Sequence, residues 1–150
     1  MATKMEAMMA KTWITTEFGY IKDYPEADII YNGDFEAGIV ITIELAGPAD
    51  GIRIDNQTRG EYINFDHSKI NAIVGSGLVE HDVIIINTTR GNKSAVLKRG
   101  GTTYNIMHAV SLTSKWIYLQ KGRNHFVYGA SDGLNNIFVT IECKTRTLGV

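Results

Sequence analysis

The chain has 150 residues and a mass of 16.6 kDa, enough for one domain to bury a core without metals or disulfides. Its 15 basic and 16 acidic residues nearly cancel, which argues against holding nucleic acid or an anionic membrane by bulk charge. No apolar run reaches the roughly 18 residues of a membrane helix, and the first residues lack the pattern of a secretory signal, so we expect a soluble, unprocessed chain.

The composition favours strands over helices. The chain has 19 Ile, 9 Val and 14 Thr, against 11 Ala and 7 Leu. β-Branched side chains lose rotamer freedom in a helix and fit the pleated surface of a sheet. With 15 Gly and only 2 Pro, we expect many short strands joined by glycine turns.

The first 35 residues are the least patterned part of the sequence. Residues 1–12 hold four of the five methionines and predict a short helix, a frayed tail or the remainder of a longer chain. Residues 13–35 mix aromatic and turn residues, and we interpret them as an extended arm with one short strand. We therefore divide the chain into an arm, or remnant of a preceding domain, over residues 1–35 and a β-sandwich domain over residues 36–150.

From residue 36 the apolar residues repeat with a period of two, as in a strand with one buried face. The segment GIVITIEL, residues 38–45, is the clearest strand. Residues 52–55 and a strand carrying Ile63 and Phe65 are predicted to form a hairpin around the turn Thr58-Arg59-Gly60.

The middle of the chain predicts a meander of three strands. DVIIINTT, residues 82–89, is apolar on both faces, which is typical of a central strand. Turns at Arg90-Gly91-Asn92 and Gly100-Gly101 lead into KSAVLKR and TTYNI. Further strands are predicted over residues 116–119, 126–128 and 136–144, whereas the stretch around Gly75-Ser76-Gly77 has no clear pattern.

About nine or ten short strands with glycine turns predict an all-β fold, an antiparallel β-sandwich or jelly roll. We expect nine apolar residues to be buried between its two sheets. They are Ile39, Ile41, Ile43, Ile84, Ile86, Leu97, Phe126, Val139 and Ile141.

The sequence has no recognisable constellation for metal binding. The four histidines are dispersed, without an HxH or HExxH motif. They are His67, His81, His108 and His125. A single cysteine excludes a disulfide scaffold and every multi-cysteine zinc site.

Catalytic motifs are missing as well. No GxSxG elbow and no phosphate-binding glycine loop is present, and acidic pairs such as Glu36 with Glu44 or Asp132 with Glu142 are unspecific. Cys143 lies on the inward side of the last predicted strand, so we expect a buried, inert thiol. We therefore predict no catalytic, cofactor-binding or metal-binding residues, no cofactor and no enzymatic activity.

Two groups of aromatic residues are candidates for a binding surface. One is on the arm (Trp13, Phe18, Tyr20 and Tyr24), and the other is Trp116 with Tyr118 on a later strand. Each group either offers a stacking platform for a sugar or caps the core with one ring while the others line a subunit contact.

Two charged segments are interpreted as structural features and not as binding or catalytic sites. Lys93, Lys98 and Arg99 on a hairpin predict a solvated face that protects a sheet edge. Glu80-His81-Asp82 is interpreted as the polar start of a strand.

Four segments of the chain carry motifs of a known family. They are NQTRGEYI (56–63), HDVIIINTTRGNKS (81–94), SKWIYLQKGRN (114–124) and KTRTLGV (144–150). Together they resemble the C-terminal domain of siphophage distal tail proteins, over residues 30–150 or so. The sequence departs from that pattern at Lys121, where proline is common, and at Arg59, which is inserted after Thr58. Physically, Gly91 suits the tight turn and Asn124 suits bonding to backbone groups where a strand starts.

The resemblance implies a galectin-like β-sandwich in a structural protein at the tip of a phage tail. Its partners would be tail tube, tail-associated and receptor-binding proteins, with no nucleic acid or membrane partner. It would reside in the virion after synthesis in the host bacterial cytoplasm. The alternative function is a carbohydrate-binding module that aids adhesion to the host surface.

The resemblance also implies an assembly state. Family members form six-fold rings chiefly through an N-terminal domain that is not found complete in this sequence. We therefore expect a C-terminal fragment or a shortened member, a homohexamer in the virion and a monomer or weak oligomer as an isolated chain.

Overall fold

The computed structural model describes the backbone of residues 13–18 and the whole of residues 26–143, and it follows the backbone to residue 144. The strands are β1 Trp13–Phe18, β2 Glu26–Tyr31, β3 Ala37–Gly38, β4 Val40–Leu45, β5 Arg53–Asn56, β6 Glu61–Asn64, β7 Val83–Asn87, β8 Ser94–Arg99, β9 Thr102–Asn105, β10 Tyr118–Leu119, β11 Gly122–Gly129 and β12 Ile137–Lys144. One α-helix, α1, spans His67–Val74, and 3-10 helices span Met107–Ala109 and Leu134–Asn136. None of the helices in these ranges is long and apolar enough to cross a membrane. The candidate helix of residues 1–12 lies outside the described residues.

The strands form two large antiparallel sheets and one small sheet. The order in the six-stranded sheet is β1-β12-β4-β7-β8-β9, and in the four-stranded sheet it is β2-β11-β5-β6. Strands β10 and β3 form the small sheet. The predicted antiparallel β-sandwich is confirmed, as are the interior position of β7, the β7-β8-β9 meander and the β5-β6 hairpin.

The core contains apolar residues from both large sheets, joined in one cluster. All nine predicted core residues belong to it, and each is at most 1 % exposed. Ile41 on β4 lies opposite Ile141 on β12 and opposite Ile86 on β7, so three isoleucines meet across neighbouring strands. The period-two pattern therefore identified the buried face correctly.

Two strands lie before residue 36, where we expected one. Strand β1 runs beside β12, and β2 runs beside β11. In β2 the buried Ile29 and Tyr31 alternate with the exposed Asp28 and Ile30, so the period of two begins here. The division of the chain at residue 36 stays a prediction.

Helix α1 is an element that the apolar period did not reveal. The Asp66 side chain caps its first turn by accepting a hydrogen bond at 3.0 Å from a backbone N–H two positions on. Gly75, at φ 93°, ends it in the left-handed conformation. The helix has only two turns and is rich in β-branched residues, so the burial of Ile70 is needed to hold it.

Asp82 is a buried carboxylate bound by an arginine. Its side chain is 1 % exposed, and Arg99 donates to both oxygens, from Nε at 2.8 Å and from Nη2 at 2.6 Å. Arg99 also donates to the Ser76 hydroxyl and the Gly77 carbonyl, and Asp82 accepts from the Val79 N–H. The pair therefore joins the end of β8 to the loop before β7, and the hydrogen bonds to Asp82 raise the pKa of Arg99.

The prediction of a solvated hairpin face is correct for Lys93 and Lys98, which are exposed, and wrong for Arg99. The register sets Val83 opposite Lys98, which brings Arg99 next to Asp82 at the start of β7. Glu80, His81 and Asp82 do form a polar segment before β7, and Asp82 is in addition the buried half of an ion pair.

Truncation of a core isoleucine tests the assignment of the buried face. We expect Ile41→Ala and Ile141→Ala each to lower the free energy of unfolding by about 2–5 kcal/mol, because each leaves a cavity. Urea denaturation followed by circular dichroism measures it. Leu112→Ala, at a side chain that is 95 % exposed, is the control and should cost less than about 0.5 kcal/mol. Equal effects at Ile41 and Leu112 would contradict the assignment.

Removal of the Arg99 guanidinium tests the ion pair. Arg99→Met leaves the Asp82 carboxylate buried without its partner, and we expect a loss of about 3 kcal/mol. The value is at the low end of the usual range because Arg99 is 26 % exposed and water reaches the site. Lys98→Met, one position earlier on the same strand, should leave the denaturation midpoint unchanged. A midpoint for Arg99→Met that matches this control would show that the pair is not needed.

Candidate functional site

The aromatic pair Trp116 and Tyr118 lies at the start of β10. Only Tyr118 is in that strand, so the strand predicted over residues 116–119 is shorter than expected. Ile117 lies between the two aromatic residues and Leu119 follows them, and both are fully buried. The two rings are half-buried. Trp116 packs against the core, and Tyr118 lies opposite Gly38 in the small sheet. Both rings therefore face the same side of the molecule and rest on a packed base.

Backbone hydrogen bonds hold Tyr118 from two directions. Its carbonyl accepts from Asn56 Nδ2 at 3.0 Å, and its N–H donates to Glu61 Oε1 at 3.1 Å. Asn56 is fully buried and also donates to Asn124 Oδ1 at 3.2 Å. The four-stranded sheet thereby fixes the position of the ring.

Asn124 completes this amide network. Its Nδ2 donates to the carbonyls of Gln120 and Gly122 at 2.8 and 3.1 Å, and its Oδ1 accepts from the Gln120 N–H at 3.0 Å. A longer contact of 3.4 Å reaches the carbonyl of Ile29 on β2. The prediction that Asn124 bonds backbone groups is confirmed, and its side chain is fully buried.

A cation covers each ring. Lys93 Nζ lies 5.6 Å from the centroid of the Trp116 ring, and Arg90 Cζ lies 5.5 Å from that of Tyr118, both within cation–π range. Both cations come from the β7-β8 turn, where Gly91 has φ 82° as its predicted turn position requires.

The β7-β8 turn reaches the small sheet through a close backbone approach. A Cβ on Gly38 would lie 2.6 Å from the Cα of Thr89, so a larger residue there would push the turn away. Glycine at this position thus lets the turn lie against the strand that pairs with Tyr118.

Glu36 links Arg90 to Arg59 in a chain of ion pairs. Its Oε1 lies 2.6 Å from Arg90 Nη2, and its Oε2 lies 2.8 Å from Arg59 Nη2. Arg59 in turn pairs with Glu61 at 2.8 Å, and this hydrogen bond is the main cause of the raised pKa of Arg59. We call the whole set the aromatic–cation surface. It consists of Glu36, Arg59, Glu61, Arg90, Lys93, Trp116 and Tyr118.

Three cations and two carboxylates meet on this surface, so it carries an excess of positive charge on a chain whose formal net charge is -1.

Sequence reasoning identified the two rings and missed the ion pairs. The Glu36–Arg90 contact joins residues 54 positions apart, and no local motif marks it. The other aromatic group falls outside the description of the structure. For Trp13 and Phe18 only the backbone is described, and Tyr20 and Tyr24 lie outside the described residues.

Histidines do not form a metal centre in the described part of the chain, where no three His, Cys, Asp or Glu side chains are grouped to hold an ion. His125 Nδ1 lies 2.6 Å from Asp28 Oδ1, and hydrogen bonds from Arg123 and His125 lower the pKa of Asp28. His67 Nδ1 lies 3.0 Å from Asp50 Oδ1 but is not aligned for a hydrogen bond. These contacts are side-chain pairs on the surface of a fold.

Cys143 is 2 % exposed, and burial raises the pKa of its thiol to about 11. It is therefore protonated at neutral pH and a poor nucleophile. The expectation that the thiol is buried is confirmed.

Comparison with known families supports the resemblance seen in the sequence. The family model of the siphovirus-type tail component, C-terminal domain, matches residues 32–146. A search of the curated proteins finds no match.

The solved structures similar to this chain include a hub protein and a phage baseplate. One is the crystal structure of the SPP1 Dit (gp 19.1) protein, described as a paradigm of the hub adsorption apparatus in phages that infect Gram-positive bacteria. It has a TM-score of 0.60 and 12 % identity, over 88 % of this chain and 46 % of that one. The other is the phage P2 baseplate in its activated conformation with Ca, with a TM-score of 0.49 and 18 % identity, over 83 % of this chain and 37 % of that one. The second similarity is too low to carry an argument.

The SPP1 similarity supports the fold, and this chain spans less than half the length of the SPP1 protein. The family match covers more than two thirds of the sequence and includes three of the four motif segments in full. The chain therefore belongs to the family of siphovirus-type tail components, as their C-terminal domain.

Proposed function

We propose that this domain is a structural component of a siphophage tail tip, in the distal-tail or baseplate hub that links the tail tube to the host-adsorption apparatus. The family match over residues 32–146 carries this proposal. The fold shared with the SPP1 protein, a hub adsorption component, supports the placement at the hub.

A scaffold role without catalysis agrees with the state of the reactive side chains. The Cys143 thiol is buried and protonated, the Glu36 carboxylate is held by two arginines, and His125 is paired with Asp28. The thiol is un-ionised and the other two groups are engaged by partners, and we propose that the protein is not an enzyme.

Other tail proteins are the proposed partners, and the virion is the proposed location after synthesis in the host cytoplasm. We propose a homohexamer in the virion whose ring is formed mainly outside this domain, with residues 1–35 as an arm or remnant of a preceding domain. Stable interfaces bury roughly 1,200 Å² or more. Without the ring-forming part, the isolated chain should therefore be monomeric or weakly associated.

Immunogold labelling of intact virions tests the proposed location. Antibodies raised against the folded domain should label phage particles at the end of the tail distal to the head. Antibodies absorbed with the same domain beforehand are the control and should give no label. Label along the tail tube, on the head, or nowhere on the particle would contradict a tail-tip component.

A further inference from the structure

We propose that the aromatic–cation surface binds an acidic saccharide, a sugar chain that carries carboxylate groups. This binding is additional to the scaffold role and does not depend on it. It follows from the arrangement of Trp116, Tyr118, Arg90 and Lys93.

The rings supply a rigid stacking surface. Trp116 and Tyr118 are two residues apart, and the buried Ile117 lies between the two half-buried rings. The Tyr118 backbone is held by Asn56 and Glu61, so little ordering of the protein is needed when a ligand binds. Half-buried aromatic rings with this support suit the apolar faces of sugar rings.

The cations decide which saccharide fits. A neutral sugar that stacks on either ring must displace Lys93 or Arg90 and gains no ion pair in return. An acidic sugar displaces the same cations from the ring faces, but its carboxylates then form ion pairs with them. The surface therefore favours an acidic sugar chain over a neutral one of the same length.

Both cations are available for such a pair. Lys93 is exposed, and among the described residues no carboxylate forms an ion pair with its ammonium group. The Arg90 side chain is 78 % exposed and bonds Glu36 through Nη2, which leaves its other N–H groups for a ligand. Because Glu36 is itself held by Arg59, the Arg90 guanidinium is kept beside Tyr118 in advance.

Titration with two probes of equal length tests the proposal. A hyaluronan hexasaccharide carries carboxylates, and maltohexaose is neutral. In a Trp13→Phe background, Trp116 is the one remaining tryptophan and reports binding by its fluorescence. We expect saturable quenching by the hyaluronan hexasaccharide that weakens as salt is added, and at least tenfold weaker binding of maltohexaose.

A matched pair of variants separates this surface from bulk charge. Arg90→Gln with Lys93→Gln should weaken binding of the hyaluronan hexasaccharide at least tenfold. Lys69→Gln with Lys98→Gln removes two exposed positive charges elsewhere and should change it less than twofold. Lys93→Gln alone leaves the Arg90–Glu36 pair intact and should weaken binding severalfold without changing the thermal midpoint.

Three results would overturn the proposal. They are the absence of saturable binding of the hyaluronan hexasaccharide, equal binding of maltohexaose, and equal losses in the two double variants. Labelling of the virion does not depend on any of them, so the scaffold role and the saccharide site stand or fall separately.

Discussion

The amide pair of Asn56 and Asn124 connects the parts of this fold that hydrophobic burial alone leaves undefined. Both side chains are fully buried, so each polar atom left without a partner would cost about 1–3 kcal/mol. The network satisfies them by joining β5, β11 and β10, and it reaches β2 through the longer contact to Ile29. Apolar packing brings the two large sheets together, and these amides fix where the small sheet lies beside them.

The position of the small sheet in turn determines the surface of the molecule. Tyr118 on β10 is paired with Gly38 on β3, and Gly38 permits the close approach of the β7-β8 turn. That turn brings Arg90 over Tyr118, where Glu36 fixes it. A buried polar network thus positions an exposed charged one, on a domain whose family serves as a tail component. The proposed saccharide site depends on both networks.

Elements with one buried face were predictable from the sequence, and contacts between distant polar residues were not. The isoleucines of β4 and β12 revealed their strands because burial on one face imposes a period of two. The role of Asn124 followed from a family motif. Helix α1 has only two turns, and its capping residues Asp66 and Gly75 were its clearest local signal. The pair of Asp82 with Arg99 depends on strand register, which sequence spacing does not specify.

A double-mutant cycle on the amide pair tests the account most directly. Asn56→Ala and Asn124→Ala should each lower the free energy of unfolding by about 3 kcal/mol, because each leaves buried groups unpaired. The double variant should lose at least about 1 kcal/mol less than the sum, since both changes break the same network. Asn92→Ala, at an exposed asparagine, is the control and should have no measurable effect. Small, additive losses at Asn56 and Asn124 would contradict the claim that this network determines the position of the small sheet.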